Sequence, residues 1–418
     1  MITAKAADAA TSKGRSRGPG DRSRRSRKGL LALALGVVLF GATACGGSAS
    51  AESGSTKNGA DPKNSDAAVH ILPRDGATGV DTSGALRISA AKGKLSKVTV
   101  TSSGGATVDG TLSDGGSSWR PTGGLHTGTH YTVSATATDA SGRASTQQSS
   151  FTTLTPSTTN IGYFNVAPGA TYGVGMEVSL NFTKPVSDTK AVDKAVTVTA
   201  DPQVDVRGHW FGNQRLDFRP ENYWSPGTKV TLHLRLNGVK TAPGVYGQQS
   251  KDVSFTIGRS QTSVADNTAH TLKIYRNGAL YRTLPASLGD AQHTTYNGKM
   301  VIMEKDPVVD MDSRTVGLGN SYHIKDVPHG MRLSTSGTFA HGNYWRPESV
   351  FGHENTSHGC VGLHDVKGGG DPSTPAAWFY NHSLIGDVVQ VVNSPDKTVA
   401  PENGWNGWNM PWSQWTVS

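Results

Sequence analysis

A repeated pattern in the first 260 residues is the strongest constraint on the fold. The segments "WRPTGGLHTGTHYTVSA" and "FRPENYWSPGTKVTLHL" both begin with an aromatic residue and Arg-Pro, and Gly-Thr follows nine positions after the aromatic residue. Gly128 and Gly227 occupy the same place in the two copies, 99 residues apart. Internal similarity at a fixed spacing predicts two copies of one structural unit.

The residues within each copy alternate as in half-buried strands. Runs such as "KVTVTS", "YTVSATATD", "EVSLNFT" and "KVTLHLRL" are β-branched, have a period of two and are separated by Gly, Ser and Asp. Such runs at short intervals are typical of β-sandwiches. The sequence therefore predicts a mostly β protein with immunoglobulin-like β-sandwiches at residues 68–156 and 157–258.

A third domain is predicted at residues 259–394, and it is also mainly β with one or two helices. Asn277-Gly278 predicts a tight hairpin turn, and the segment Asp371 to Leu384 predicts a helix with Pro near its start. Four tryptophans in "NGWNGWNMPWSQW" predict that residues 395–418 pack onto a domain as a cap, with carbohydrate stacking as the alternative.

The N-terminal 45 residues are typical of an export signal. Nine basic and two acidic side chains precede the short apolar run "GLLALALGVVLF". Cys45 follows Ala42-Thr43-Ala44, which resembles the lipobox of bacterial lipoproteins. The sequence thus predicts a lipid anchor at Cys45, with ordinary cleavage as the alternative, and a flexible linker at residues 46–67. We expect an extracytoplasmic protein that is attached to the membrane.

The net charge of +8 gives no support for a nucleic-acid partner. Residues 1–45 contribute +7 of this charge, so the rest of the chain is almost neutral. A nucleic-acid-binding surface needs a basic patch that the mature protein retains.

The stretch "TSHGCVGLHD" contains Cys360, which is the one cysteine left if Cys45 is lipidated or removed. A lone thiol in an exported protein cannot form an intramolecular disulfide and is a candidate reactive group. His358 and His341 lie two and nineteen residues before it, and a neighbouring base can activate a thiol. Two alternatives remain. One is a zinc site formed by His341, His353, His358 and His364, although HExxH and CxxC spacings are absent. The other is an inert thiol.

The segment "HGNYWRPESVFGHENTSHGCVGLHD" resembles the signature of the L,D-transpeptidase (YkuD-like) family. That signature is a histidine, about fifteen residues, and then (Ser/Thr)-His-Gly-Cys, and fifteen residues separate His341 from Ser357 here. The segments "MDSRTVGL", "WFYNHSLIGDVVQVVNS" and "WNMPWSQW" are similar to the mycobacterial type. The resemblance covers Ala68 to the end and implies two immunoglobulin-like domains, a catalytic domain and a C-terminal cap.

The resemblance also implies roles for individual residues. Cys360 would be the nucleophile, His341 the general base, and the carbonyl of Gly342 would orient that base. His358 would shape the pocket and hold its loop. The implied oxyanion and substrate-binding residues are Gly359 and Cys360 through their amides, the Tyr322 hydroxyl, Ser357, Met311 and Trp345.

One position departs from the family pattern. Many relatives carry Asn or Arg two residues after the cysteine, whereas this chain has Gly362. The side-chain contact at this position is therefore either missing or supplied by another residue, for which His364 and Asp365 are the candidates.

The implied function is a peptidoglycan L,D-transpeptidase that forms 3→3 cross-links and releases D-Ala from a tetrapeptide stem. The implied partners are donor and acceptor stem peptides. The resemblance also implies a monomeric enzyme that faces the cell wall and needs no cofactor and no metal. Family members are acylated by carbapenems. An L,D-carboxypeptidase or endopeptidase with the same cysteine is the alternative. A non-enzymatic wall-binding protein with a degenerate site is a third hypothesis.

Overall fold

The computed structural model describes residues 64–316, 319–320 and 322–416. The predicted export signal, Cys45 and most of the predicted linker lie outside these residues. Within them, no helix combines the length and the apolar character that crossing a membrane requires. The chain is mostly β, as predicted.

The first unit is a β-sandwich of eight strands. These are β1 Ala68–Leu72, β2 Ala77–Val80, β3 Arg87–Ala91, β4 Lys94–Ser102, β5 Gly110–Leu112, β6 Ser118–Pro121, β7 His130–Thr138 and β8 Ala144–Thr153. One sheet has the order β1-β3-β6-β5 and the other β2-β8-β7-β4. Along β7 the buried residues alternate with more exposed ones, because successive side chains of a strand point to opposite faces.

The second unit has eleven strands and one short helix. These are β9 Thr158–Asn160, β10 Gly162–Phe164, β11 Thr171–Tyr172, β12 Val178–Phe182, α1 Thr189–Ala195, β13 Val196–Asp201, β14 Val206–Phe211, β15 Arg215–Pro220, β16 Lys229–Arg235, β17 Lys240–Ala242, β18 Val245–Gly247 and β19 Ser250–Ile257. The sheets β10-β12-β15-β14 and β11-β19-β16-β13 enclose one apolar core, and β17-β18-β9 form a small third sheet.

The two copies of the repeat occupy matching places in these units. Trp119 on β6 and Phe218 on β15 are both buried in the cores of their own units. Gly128 and Gly227 have φ angles of 58° and 82°, and a strand begins two residues after each of them. The shared glycine is explained by this left-handed turn, which side chains with a Cβ rarely adopt.

The third unit is built on one sheet of nine strands. These are β20 Gln261–Asp266, β21 Thr271–Arg276, β22 Ala279–Ser287, β23 Gly298–Val301, β24 Glu304–Asp312, β25 His323–Arg332, β26 Phe339–Asn343, β27 Val361–His364 and β28 Val388–Val392. Their order is β23-β28-β20-β21-β22-β27-β26-β25-β24. Asn277 and Gly278, both with positive φ, form the predicted turn between β21 and β22.

Two helices accompany the end of the chain, α2 before strand β28 and α3 after it. Helix α2 spans Pro375–His382, inside the predicted range, and the side chain of Thr374 caps it by accepting a hydrogen bond from the Ala377 amide. Helix α3 spans Trp412–Trp415. Short 3-10 turns lie at Asp114–Gly116, Ser313–Val316, Glu348–Val350, Lys367–Gly369 and Gly407–Asn409.

The Trp-rich C-terminal segment contacts both of its neighbouring units. The Trp408 indole N–H donates to the Gly175 carbonyl of the second unit at 2.8 Å. The Asn409 side chain exchanges two hydrogen bonds with the backbone of Lys299 on β23, at 2.7 and 2.8 Å. This segment therefore joins the second sandwich to the third unit, and Trp408 is used in packing.

Candidate active site

The pairing of β26 with β27 brings His341 and Cys360 to adjacent strands. The two strands run parallel, with His341 opposite Gly362 and Ala340 opposite Val361. Cys360 directly precedes Val361, the first residue of β27. Residues that are nineteen positions apart in the chain thus lie beside each other in the sheet.

A single pocket is lined by both side chains. The sequence predicts every lining residue except Ile324, Asn343, Arg346 and Thr356. The lining residues are Met311, Tyr322, Ile324, His341, Asn343, Trp345, Arg346, Thr356, Ser357, His358 and Cys360. The candidate nucleophile and the candidate base therefore face the same space.

Cys360 is buried among apolar side chains. It packs with Met311, Val327 and Phe339, and its thiol lies 3.7 Å from the Gly337 carbonyl as a donor. Burial raises the pKa of the Cys360 thiol to about 11, because the thiolate would lose its hydration. The resting thiol is consequently protonated at neutral pH and needs a base.

His341 has the environment of a neutral base. Its Nδ1 lies 2.9 Å from the Gly342 carbonyl, which can only accept, so Nδ1 carries the proton and Nε2 carries the lone pair. Burial lowers the pKa of His341, and the hydrogen bond to Gly342 opposes this shift. The Trp345 indole stacks on the imidazole at 5.7 Å with an angle of 11° between the planes. The ring is thus held in one orientation and one tautomer.

Asp365 lies behind the base rather than in the pocket. Its buried carboxylate accepts hydrogen bonds from His329 Nδ1 at 2.7 Å and from the Thr374 hydroxyl at 3.1 Å. A Cβ added to Gly342 would overlap this carboxylate. Glycine is therefore required at 342 by close packing, and the charge of Asp365 favours the protonated form of His341.

The loop that carries Cys360 is held by the segment after β22. The amide of Ser357 donates to the Leu288 carbonyl at 3.0 Å, and its own carbonyl accepts from the Asp290 amide at 2.9 Å. The Ser357 hydroxyl donates to the Cys360 carbonyl at 2.7 Å. Gly359 has a φ of 102°, a conformation that side chains with a Cβ rarely adopt. These contacts fix the backbone on which the predicted amide donors lie.

His358 forms part of the pocket wall through ring contacts. Its imidazole lies 4.4 Å from that of His293 and 5.1 Å from the Tyr322 ring, measured between centroids. His293 in turn pairs with Asp290 at 3.0 Å. Burial is the main cause that lowers the pKa of His358, and the charges of His293 and Arg346 add to it.

The space at Gly362 is bordered by an asparagine from the neighbouring strand. A Cβ at 362 would lie 3.7 Å from Asn343 Nδ2, so this amide is the side chain nearest to the vacant position. His364 instead contacts the edge of Phe351 at 5.7 Å, and Asp365 bonds to other partners. Neither His364 nor Asp365 is therefore among the nearest neighbours of this position, and Asn343 is. A sequence signal for Asn343 exists, because it follows the predicted base His341 by two positions and residues two apart on a strand share a face.

The four histidines of the zinc alternative do not converge. His341 and His358 line the pocket, whereas His353 and His364 do not. Over residues 64–316, 319–320 and 322–416, no group of three or more His, Cys, Asp or Glu side chains is arranged to hold a metal ion.

Comparison with known proteins gives matches over most of the chain. Residues 260–391 match the family described as "L,D-transpeptidase catalytic domain", and residues 77–240 match the one described as "Bacterial Ig domain". The chain is 34% identical to L,D-transpeptidase 2 of Mycobacterium tuberculosis (strain CDC 1551 / Oshkosh), over 94% of this chain and 96% of that protein. It is 29% identical to L,D-transpeptidase 5 of Mycobacterium tuberculosis (strain ATCC 25618 / H37Rv), over 82% and 75%. A solved structure of an L,D-transpeptidase in complex with imipenem is 30% identical, with a TM-score of 0.46, over 55% of this chain and 97% of that one.

Proposed function

Since the chain belongs to the L,D-transpeptidase family, we propose that it joins peptidoglycan stem peptides through a thioester on Cys360. The donor is a tetrapeptide stem, and the bond that breaks joins its third residue, diaminopimelate, to the terminal D-Ala. The observation that carries the proposal is that a protonated thiol and a neutral histidine of defined tautomer line one pocket.

The first half-reaction forms the thioester. His341 Nε2 takes the thiol proton while Cys360 Sγ attacks the scissile carbonyl carbon, which becomes tetrahedral with a negatively charged oxygen. When the intermediate collapses, the C–N bond breaks and His341 returns the proton to the departing amine. D-Ala leaves, and the acyl group remains on sulfur.

The second half-reaction transfers the acyl group to an amine. The side-chain amine of an acceptor diaminopimelate attacks the thioester carbon and gives a proton to His341. The C–S bond then breaks, and the sulfur takes that proton back. The product is an amide between two third residues, which is a 3→3 cross-link. Water in place of the amine would give hydrolysis, the carboxypeptidase alternative.

The oxyanion of both intermediates needs donors that point into the pocket. The amides of Gly359 and Cys360 lie on the loop that Ser357 ties to neighbouring backbone. Burial raises the pKa of Tyr322 to about 12, so its hydroxyl keeps its proton at neutral pH and can donate. We assign these three groups to the oxyanion, where such donors stabilise the transition state.

The location that suits this reaction is the outer face of the cell membrane. Export through the N-terminal signal and lipidation of Cys45 would place the enzyme beside the wall, with the two sandwiches as a spacer. We expect a monomer that acts without a cofactor. Replacing Cys45 by alanine should move the protein from the detergent phase to the aqueous phase in a detergent-partition experiment.

One experiment tests the reaction. The mature chain and its Cys360→Ala and His341→Ala variants are incubated with a disaccharide-tetrapeptide, and products are identified by mass spectrometry. His353→Ala serves as the matched control because His353 is exposed and lies outside the pocket. We expect dimers and free D-Ala from the unmodified chain and from the control, and neither from the two site variants.

Two outcomes would contradict the proposal. Tripeptide without dimers would identify the protein as an L,D-carboxypeptidase, and dimers formed by Cys360→Ala would exclude the cysteine mechanism. A carbapenem adduct located on Cys360 by peptide mapping would support the assignment of the nucleophile independently of the natural substrate.

A further inference from the structure

Arg346 is the one described residue lining the pocket that carries a permanent charge. The lining contains neither Asp nor Glu among the described residues. The Arg346 side chain is exposed, and within the described chain its guanidinium has no carboxylate or carbonyl partner. A guanidinium at a pocket mouth without an ion-pair partner is available to a ligand.

The backbone of Arg346 is fixed although its side chain is exposed. The amides of Trp345 and Arg346 both donate to Asn343 Oδ1 at 3.2 Å. Asn343 is buried on β26, two residues after His341. The guanidinium therefore extends from an anchored turn, and its positive charge contributes to the lowered pKa of His358, which lies on the segment that carries Cys360.

The position of Arg346 indicates which part of a substrate it meets. Trp345 stacks on His341, and Arg346 is the next residue. In the proposed function His341 gives its proton to the departing amine and later takes one from the attacking amine. Both amines must therefore come to the His341 side of the pocket, which is the side from which Arg346 extends.

Both of these amines have the same neighbouring group. The departing amine belongs to D-Ala and is attached to a carbon that bears a carboxylate. The attacking amine of diaminopimelate is also attached to a carbon that bears a carboxylate. An arginine can bind a carboxylate through two parallel hydrogen bonds, which fixes its orientation as well as its position.

We propose that Arg346 binds the carboxylate adjacent to the reacting amine, first on the departing D-amino acid and then on the acceptor. This inference rests on the proposed function and names the chemical group that the pocket recognises on both substrates. Arg346 is thus a specificity-determining residue for substrates whose reacting amine is α to a free carboxylate.

The test compares two donors that differ in this one group. The unmodified chain and Arg346→Gln are mixed with a tetrapeptide ending in D-alanine and with the same peptide ending in D-alaninamide. The kcat/KM for thioester formation is followed by mass spectrometry under single-turnover conditions. The ratio of the two rates is compared between proteins, which cancels the intrinsic difference between the two leaving amines.

We expect the carboxylate-to-amide ratio to fall by about tenfold to a hundredfold in Arg346→Gln, the range of a hydrogen bond to a charged group. Arg346→Lys should retain part of the preference, because the charge remains without the planar fork. Arg282→Gln is the matched control, since Arg282 is an exposed arginine of the same domain outside the pocket. Its ratio should equal that of the unmodified chain.

Other results would overturn the inference. An unchanged ratio in Arg346→Gln, or an equal loss of rate with both donors, would exclude a carboxylate subsite and leave the proposed function intact. Absence of a thioester from the unmodified chain with both donors would overturn the proposed function and this subsite together. In a second assay the thioester of each protein is offered an acceptor peptide in which the carboxylate beside the attacking amine is free or amidated. We expect Arg346→Gln to lose the preference for the free carboxylate, and a retained preference would refute the role of Arg346 in the second half-reaction.

Discussion

Alkylation of Cys360 across a pH series measures whether the proposed nucleophile is a thiol or a thiolate before substrate binds. A cysteine protease of the ion-pair type has a thiolate and an imidazolium before substrate arrives, and its thiol pKa is depressed. The apolar surroundings of Cys360 and of His341 favour the opposite state, a neutral thiol beside a neutral imidazole, because burial penalises both charges.

The expected size of the effect follows from the pKa. With a thiol pKa of about 11, about one Cys360 in a thousand is ionised at pH 8, compared with about one in ten for an ordinary thiol of pKa 9.0. Ionisation alone should therefore slow alkylation at pH 8 by about a hundredfold. Limited access slows the reaction further, but it changes the rate and not the pH at which the rate is half-maximal.

The assay is iodoacetamide labelling followed by intact mass, from about pH 7 to about pH 11.5, with tryptophan fluorescence to verify that the chain stays folded. The same titration in denaturant gives the ordinary thiol as the internal reference. We expect a midpoint well above that reference. A midpoint at or below the reference would refute the neutral-pair reasoning and indicate a preformed thiolate.

The neutral state of His341 also determines the acid limb of the expected pH profile of activity. In the proposed mechanism His341 accepts a proton only when it is neutral, so we expect thioester formation to be lost as the pH falls through its pKa. Because burial lowers that pKa from the ordinary value of 6.5, we expect activity to persist below pH 6.5 before it falls. An acid limb of kcat/KM centred above pH 6.5 would contradict the lowered pKa.

Two further variants test the packing that supports the site. Gly342→Ala should lower the free energy of unfolding by about 1–3 kcal/mol and slow thioester formation, because its Cβ would displace the buried Asp365 carboxylate; unchanged thermal unfolding and rate would show that the carboxylate moves freely. Trp415→Ala should cost about 3–5 kcal/mol, because this indole is fully buried and lies 4.4 Å from the Arg219 guanidinium. Trp412→Ala, a more exposed indole at 5.3 Å from the same group, is the control, and an equal loss in both variants would contradict a docking role for Trp415.

Local patterns were sufficient to predict several elements of the fold. The period-two runs, the Asn277-Gly278 turn and the Pro375 helix start depend on residues within a few positions of one another. The repeated Gly128 and Gly227 are explained in the same way, since each meets a backbone requirement of its own turn. The spacing of His341 and Cys360 identified two residues that line the pocket together, because that spacing resembles the signature of a protein family.

Contacts between distant segments could not be read from such patterns. His364 and Asp365 follow Cys360 closely in sequence, yet the register of β26 with β27 directs them to other neighbours and brings Asn343 beside Gly362. Similarly, Asp365, which directly follows β27, packs against Gly342 of β26, and these two residues are distant in sequence.

The sequence by itself therefore determined the class of fold, the order of its units and the pair of side chains, His341 and Cys360, to which we assign the chemistry. The tertiary structure alone decided the directions of the pKa shifts of these two groups, since the shifts depend on how completely other strands exclude water from Cys360 and His341. It also decided that Arg346 faces the pocket. Each of these properties arises from long-range packing, which no window of consecutive residues contains.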